Sequence, residues 1–344
     1  MKKSIELRAA PHLHSGRSVP VIMRNVVGAL LPICAFSIWQ YGLSAASMLL
    51  TVTAACLATE RFFSARSGKG NTLADWSAAI TGLLLALTLP PNFPLWMGAV
   101  AGFVAIALGK TLFGGLGFNP FNPALVGRAF VQAAFPATIA SFIPAYAPQR
   151  FTEFAPSTLT WPLMQAHDNT SWIRSAAVDG FTGATPLARW KFENFTYSAS
   201  DFITGVVTAS AGETSALLIL ACGGYLALRR FMDWRIPVAV LGSAMLMAWA
   251  FHFAAPERYP APLFVLLSGG LVLGAVFMAT DMATSPVTPV GVWIYGALIG
   301  VLSVIIRYFG GLTEGVMYAI LIANAASPLI DQLTPPRVFG ARRS

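Results

Sequence analysis

Charge is scarce in this chain. Of its 344 residues only 10% are Asp, Glu, Lys or Arg, 56% are hydrophobic, and the mean hydropathy is +0.66. A soluble domain is about one quarter charged, so the composition excludes one and points to a multi-span membrane protein. Cysteine is nearly missing as well. Cys34, Cys56 and Cys222 lie in apolar runs, with no Cys-x-x-Cys pair and no neighbouring histidine. That spacing argues against a metal or iron–sulfur site and leaves the three as packing residues. No Gly-x-Gly-x-x-Gly turn follows a strand pattern and no Gly-Lys-Ser/Thr loop occurs, so no nucleotide site is visible. The first 20 residues are polar, and no cleavable secretion signal is expected. The net charge is +8, but the basic residues sit in short clusters between apolar runs. This is the pattern of a topology signal, not of a nucleic-acid surface.

What the sequence does hold is apolar runs of spanning length. A helix rises 1.5 Å per residue, so about 20 residues cross a hydrocarbon core of about 30 Å. Ten runs qualify: 25–43, 44–60, 77–91, 94–112, 124–143, 214–230, 236–254, 262–280, 288–307 and 315–331. Some are short or interrupted, so tilted or re-entrant pieces are expected. The predicted fold is an all-α integral membrane protein of about ten transmembrane helices. Its parts are a cytoplasmic tail over 1–24, a first membrane half over 25–143, a loop over 144–213, a second half over 214–331, and a tail over 332–344. With the N-terminus inside, sixteen of the 22 Lys and Arg residues fall on the inner side. Four of the other six lie in the one long loop, which topology counts ignore. Both termini are therefore expected in the cytoplasm and the loop outside.

The halves share a short signature. Lys110–Leu116 reads KTLFGGL after the fourth run, and Arg307–Leu312 reads RYFGGL after the ninth. Five spans per half would make this an inverted repeat, an arrangement that places ligands near the interface of the halves beside broken helices. A chance recurrence of a Gly-Gly turn is the alternative. Two stretches read as breaks: Phe113–Arg128, FGGLGFNPFNPALVGR, and Phe277–Pro289, FMATDMATSPVTP. Proline cannot donate to the helix ladder, and non-helical backbone at membrane depth must be covered by protein or line a polar cavity. Each break can be a capped helix entry, a wall of a cofactor or ion pocket, or both. Asp281 reads as a structural cap, and is also the first residue to test for ion coupling. Glu60, Lys110, Arg128 and Asp331 lie at or near span ends, where snorkelling to the interface is the ordinary reading. His252 reads as a packing or interfacial residue. His12 and His14 lack a third ligand and read as part of a tail that touches a partner or lipid headgroups.

The long loop contains Val178–Trp190, VDGFTGATPLARW. A Ser/Thr-Gly-Ala-Thr match arises by chance in roughly one chain in a hundred of this length at average composition, and Asp-Gly before it makes the coincidence rarer. DGFTGATPLA resembles the flavin attachment site of the RnfD/NqrB family of membrane redox subunits. The resemblance extends over nearly the whole chain, through SGRSVPVIMRNVV, TGLLLALTLPPNFPLWM, FGGLGFNPFNPALVG, LLSGGLVLGAVFMATD, IIRYFGGLTEGVMYAILIANAASPLID and the tail RVFGARR. The length is closer to the shorter, RnfD-type branch. Thr182 stands where the family more often has serine, and both supply a β-hydroxyl.

The resemblance implies a bacterial inner-membrane subunit of an Rnf-type complex. Such a complex passes electrons between ferredoxin and NAD, coupled to ion movement, with the nucleotide and cluster sites on other subunits. The chain would hold no complete active site alone, no metal and no nucleic acid. FMN would be joined through its phosphate to Thr185 in a periplasmic loop, and a second, non-covalent flavin, riboflavin, is possible in the family. A threonine hydroxyl is a weak nucleophile without an activating base, so attachment is expected from a separate flavin transferase. Gly183 and Ala184, with little side chain, would keep the way to Thr185 open, and Asp179, Gly180 and Thr182 would belong to the recognised segment. Phe113, Phe118 and Phe121 from the first break, and Ser268, Gly269 and Gly270 from the second half, are the expected ring contacts. The alternative class is a solute or ion transporter with an inverted repeat and no flavin.

Overall fold

The computed structural model describes residues 18–67, 72–175, 183–205, 207–213 and 215–336. Among the described residues the chain is helical throughout, with no strand, and it is an all-α integral membrane protein. The first half holds α1 (Val19–Tyr41), α2 (Leu43–Arg66), α3 (Ser77–Thr88), α4 (Leu95–Ala107) and α5 (Pro123–Ala134). The connection carries four short helices, α6 (Pro136–Ile139), α7 (Thr170–Ser175), α8 (Pro186–Glu193) and α9 (Ala199–Thr204). The second half holds α10 (Ala216–Leu228), α11 (Arg235–Ala254), α12 (Pro262–Leu267), α13 (Leu271–Leu273), α14 (Pro289–Phe309) and α15 (Val316–Leu333). A π-helical turn over Gly274–Met278 continues α13.

All ten apolar runs coincide with helical chain, but among the described residues only six stretches are long and apolar enough to cross a bilayer: α1, α2, Leu95–Phe113 around α4, α11, α14 and α15. Three of the other four runs are shortened by identifiable residues. Pro90 and Pro91 follow α3, Pro136 follows α5, and Ser268-Gly269-Gly270 divides α12 from α13. A twelve-residue helix is about 18 Å long, so the carbonyls at the end of α3 need partners inside the protein. The segment before α10 supplies them: Gly212 N–H donates to Leu87 O at 2.6 Å and Ala211 N–H to Leu89 O at 3.1 Å. Glycine is required at 212, where a Cβ would come within 2.7 Å of Leu87 Cβ.

The two halves repeat one packing order. In the first, α2 packs on α3 and α4, and α4 on α5; in the second, α11 packs on α12 and α14, and α14 on α15. Across the halves α1 meets α10 and α5 meets α15. The third span is interrupted alike in each half. A short helix, Thr72–Asp75 or α12, leads to a left-handed residue, Trp76 (φ +66°) or Gly269 (φ +64°), and the apolar helix follows. The basic residue before each Phe-Gly-Gly-Leu reaches that interruption. Lys110 donates to the Ser77 hydroxyl, and Arg307 to the carbonyls of Val265 and Ser268. The shared signature therefore marks equivalent corners of two similar halves.

The two breaks read from the sequence meet each other. Asn122 caps α5 by accepting from Ala124 N–H at 3.0 Å, and its amide donates across the halves to Met278 O at 3.2 Å. Asn119 bonds to Asp281, whose carboxylate also accepts from Ala283 N–H at 3.2 Å. Asp281 thus has the capping role expected of it. One continuous apolar core runs through both halves.

Candidate functional site

Thr185 opens α8. Its backbone is extended (φ −69°, ψ 159°), Pro186 occupies the first turn, and its Oγ1 accepts from Ala188 N–H at 3.3 Å. This is an N-cap: the hydroxyl replaces a missing helical partner at the positive end of the helix. Gly183 sits at φ +69°, a conformation glycine adopts without strain. The Thr-Gly-Ala-Thr stretch thus ends in a helix start, and the expectation of an open, accessible turn at Thr185 is corrected. Thr185 is only 4% exposed, because α8 lies against the bundle with Leu187 buried in the main core.

Several contacts hold α8 there. Lys191 Nζ donates to three carbonyls of the second Phe-Gly-Gly-Leu corner, Arg307 and Leu312 at 3.1 and 3.2 Å, and Gly310. An ammonium on the last carbonyls of α14 is the favourable arrangement for a helix C-terminus, and loss of water around Lys191 lowers its pKa. Trp190 packs on Tyr308 with ring centroids 5.4 Å apart. Arg189 donates to the Tyr197 hydroxyl at 2.7 Å and Glu193 at 3.0 Å, and these bonds raise its pKa.

A cavity of about 400 Å³ opens beside Thr185, within the usual range for small-ligand sites. Gly183, Ala184, Thr185, Ala188 and Phe192 line it together with Arg128 and Gln132 of α5, Ile139 and Phe142. Leu312, Thr313, Glu314, Met317 and Tyr318 close it. Arg128 is buried, its Nη2 lies 3.6 Å from Glu314 Oε2, and its Nη1 has no hydrogen-bond partner among the described residues. Glu213 and Glu314 both act electrostatically on Arg128 and on Arg307. The cavity therefore combines an apolar wall, a threonine hydroxyl at a helix N-terminus and a guanidinium with spare donor capacity.

The structure brings Gly183, Ala184 and Thr185 together at this cavity. Ser268, Gly269 and Gly270 do not line it; of the three, Gly269 lies against α8, where a Cβ would come within 2.7 Å of Leu187 Cδ1. Phe113, Phe118 and Phe121 are not brought to Thr185. They belong to the break before α5, with Phe113 and Phe118 exposed, beside a second cavity at the other end of the bundle. Asp179, Gly180 and Thr182, like His12 and His14, lie outside the described residues.

Of the span-end charges, Glu60, Lys110 and Arg128 are buried in the bundle and do not snorkel, while Asp331 is half-buried. Lys110 Nζ is 2.7 and 2.8 Å from the two oxygens of Glu60, both side chains buried. Asp331 accepts from Val287 and Thr288 N–H at 3.2 Å at the start of α14. His252 Nδ1 is 2.8 Å from Tyr259 O. Arg128 lines the Thr185 cavity. It shares the buried face of α5 with Leu125 and Val131, three residues away on either side. Sequence reasoning passed over Glu314, Glu213 and Tyr318. The one signal for Glu314 was an acidic residue in the short link between FGGL and an apolar span.

Comparison with known proteins adds to this geometry. The model of a family described as NQR2, RnfD, RnfE matches residues 6–340. The chain is 36% identical over 354 residues to the D-type subunit of the proton-translocating ferredoxin:NAD(+) oxidoreductase complex of Clostridium ljungdahlii, covering 100% of this chain and 98% of that protein. It is 36% identical over 342 residues to the D-type subunit of the Na(+)-translocating ferredoxin:NAD(+) oxidoreductase complex of Acetobacterium woodii, covering 99% and 96%. It is 35% identical over 350 residues to the D-type subunit of the ion-translocating oxidoreductase complex of Halorhodospira halophila, covering 98% and 96%.

Proposed function

This chain belongs to the NQR2, RnfD, RnfE family, and from that premise we propose that it is the D-type membrane subunit of an ion-translocating ferredoxin:NAD oxidoreductase complex, relaying electrons through FMN esterified to Thr185. The observation that carries this reading is the cavity into which Thr185 opens. Its hydroxyl stands at the N-terminus of α8, where a phosphate is favoured by the helix dipole and free amides, and the cavity beside it is walled by Ile139, Phe142 and Met317. Those residues fit a flat apolar ring, while Gln132 and Tyr318 can bond its polar edge. FMN bound there would supply one- and two-electron redox chemistry, which no side chain of this chain supplies itself. The chain's share is to fix the tether, exclude water and orient the ring.

Thr185 is buried once α8 has docked, so the transferase that makes the ester acts on the loop before docking. The Thr185 end of the bundle is assigned to the periplasm and the opposite end, with Arg24, Arg61, Arg66, Arg229, Arg230 and Arg235, to the cytoplasm of a bacterial inner membrane. Riboflavin, the second expected flavin, is proposed for the cavity between the paired breaks, lined by Ser77, Lys110, Asn119, Asn122, Phe277 and Asp281 among others. Its volume is about 90 Å³, room for a few waters, so a flavin enters only when Met23, Met232 and Met282 at its walls swing aside, as flexible thioether chains can.

The test is co-expression with an active flavin transferase. Denatured protein is expected to fluoresce yellow in a gel, to lose that signal in Thr185→Ala, and to carry an FMN-sized addition on the Thr185 peptide by mass spectrometry. A wild-type chain that stays colourless beside a flavinylated control protein would sink the proposal.

A further inference from the structure

We infer that Arg128 is the counter-cation of the phosphodiester that joins FMN to Thr185, and that Glu314 holds the guanidinium in place for it. The inference rests on the covalent-flavin reading above and assigns a residue to that site.

Three observations carry it. First, Arg128 and Thr185 line the same cavity. Second, Arg128 is 6% exposed and one of its terminal nitrogens, Nη1, has no partner among the described residues. A guanidinium carries five N–H donors in a rigid fork and is matched by carboxylate or phosphate oxygens. A buried donor left unmatched is costly, so an unpaired Nη1 beside a cavity marks a place for an acceptor. The bond to Glu314 is long, 3.6 Å, beyond ordinary hydrogen-bond length. Glu314 therefore orients the group without saturating it.

Third, cationic and anionic groups share this end of the bundle. Glu213 and Glu314 act electrostatically on both Arg128 and Arg307, so neither carboxylate is given over to Arg128 alone, while Arg189 is matched by Glu193. A phosphodiester carries one negative charge, and on Thr185 it would stand at the N-terminus of α8 in the cavity that Arg128 lines. Charges away from bulk water interact strongly.

The purely structural alternative is that Arg128 serves only to neutralise Glu314. The two roles separate in the double variant Arg128→Gln/Glu314→Gln, which removes both charges and so avoids stranding a buried carboxylate. Each protein is made with an active transferase and studied in the purified complex by the 31P resonance of the phosphodiester and by iodide quenching of the flavin. In the double variant the covalent flavin is expected to remain, because the Thr185 hydroxyl is intact, while the 31P resonance shifts and quenching increases. Arg128→Lys, with the charge but not the fork, should recover part of the 31P shift. Glu314→Gln alone should shift it less than the double variant. If the double variant carries flavin with wild-type 31P and quenching behaviour, the inference is overturned and the covalent-flavin reading stands. A wild-type chain without covalent flavin overturns both.

Discussion

The interruptions of the third span in the two halves occupy equivalent corners, yet they expose opposite ends of a helix. After Trp76 the chain presents the N-terminus of α3, whose amides need acceptors. Asp75 accepts from Ser77 N–H at 2.8 Å and from the Ser77 hydroxyl, and Lys110, paired with Glu60, donates to that same hydroxyl. Before Gly269 the chain presents the C-terminus of α12, whose carbonyls need donors, and Arg307 supplies them to Val265 and Ser268. One corner is closed by a chain of side chains with an ion pair in it, the other by a single guanidinium on backbone. The difference shows why one repeat carries lysine and the other arginine. A compact ammonium can sit among carboxylate and hydroxyl oxygens, whereas two separate carbonyls call for a planar fork.

This contrast can be broken first at the ion pair. Lys110→Met strands a buried Glu60 and is expected to cost about 3–5 kcal/mol, while Lys110→Met/Glu60→Met recovers most of it. Thermal unfolding of the detergent-solubilised complex checks this, and equal losses in the single and double variants would refute the pairing. Next comes Arg307→Lys, which keeps the charge and loses the fork. With one charged hydrogen bond gone, a loss of about 2 kcal/mol is expected; an unchanged transition would show that charge alone suffices at that corner. The smallest effect on stability is expected from Gly269→Ala, about 1–2 kcal/mol, from a left-handed backbone and the contact with Leu187. Because Leu187 lies two residues from Thr185, this variant should increase iodide quenching of the covalent flavin more than Arg307→Lys does.

The fold was legible in the sequence to different depths. The order of the helical segments followed from apolar length, and the breaks at 113–128 and 277–289 followed from their prolines, asparagines and glycines. That only six of the ten helical runs are of full spanning length among the described residues could have been anticipated in part, because Pro90, Pro91 and Pro136 stand at truncated ends. Three of the four charged residues assigned to the interface, Glu60, Lys110 and Arg128, were misread for one reason. Being near a span end says how far a side chain is from water only if the chain end is exposed, and here other helices cover it. For the candidate site, Thr185 was legible only through family resemblance. Its burial as the N-cap of α8 depends on Lys191 reaching carbonyls more than a hundred residues away.

By itself the sequence determined that this is an all-α membrane protein, which stretches are helical, and which threonine to examine. Hydropathy and helix-breaking act over a turn or a span, so they can be summed along the chain. The tertiary structure alone decided that Arg128 faces Glu314, that Lys110 faces Glu60, and that Asn122 bridges to Met278. Such pairings depend on the relative rotation and depth of helices far apart in the chain, and no local sum of residue properties contains that information.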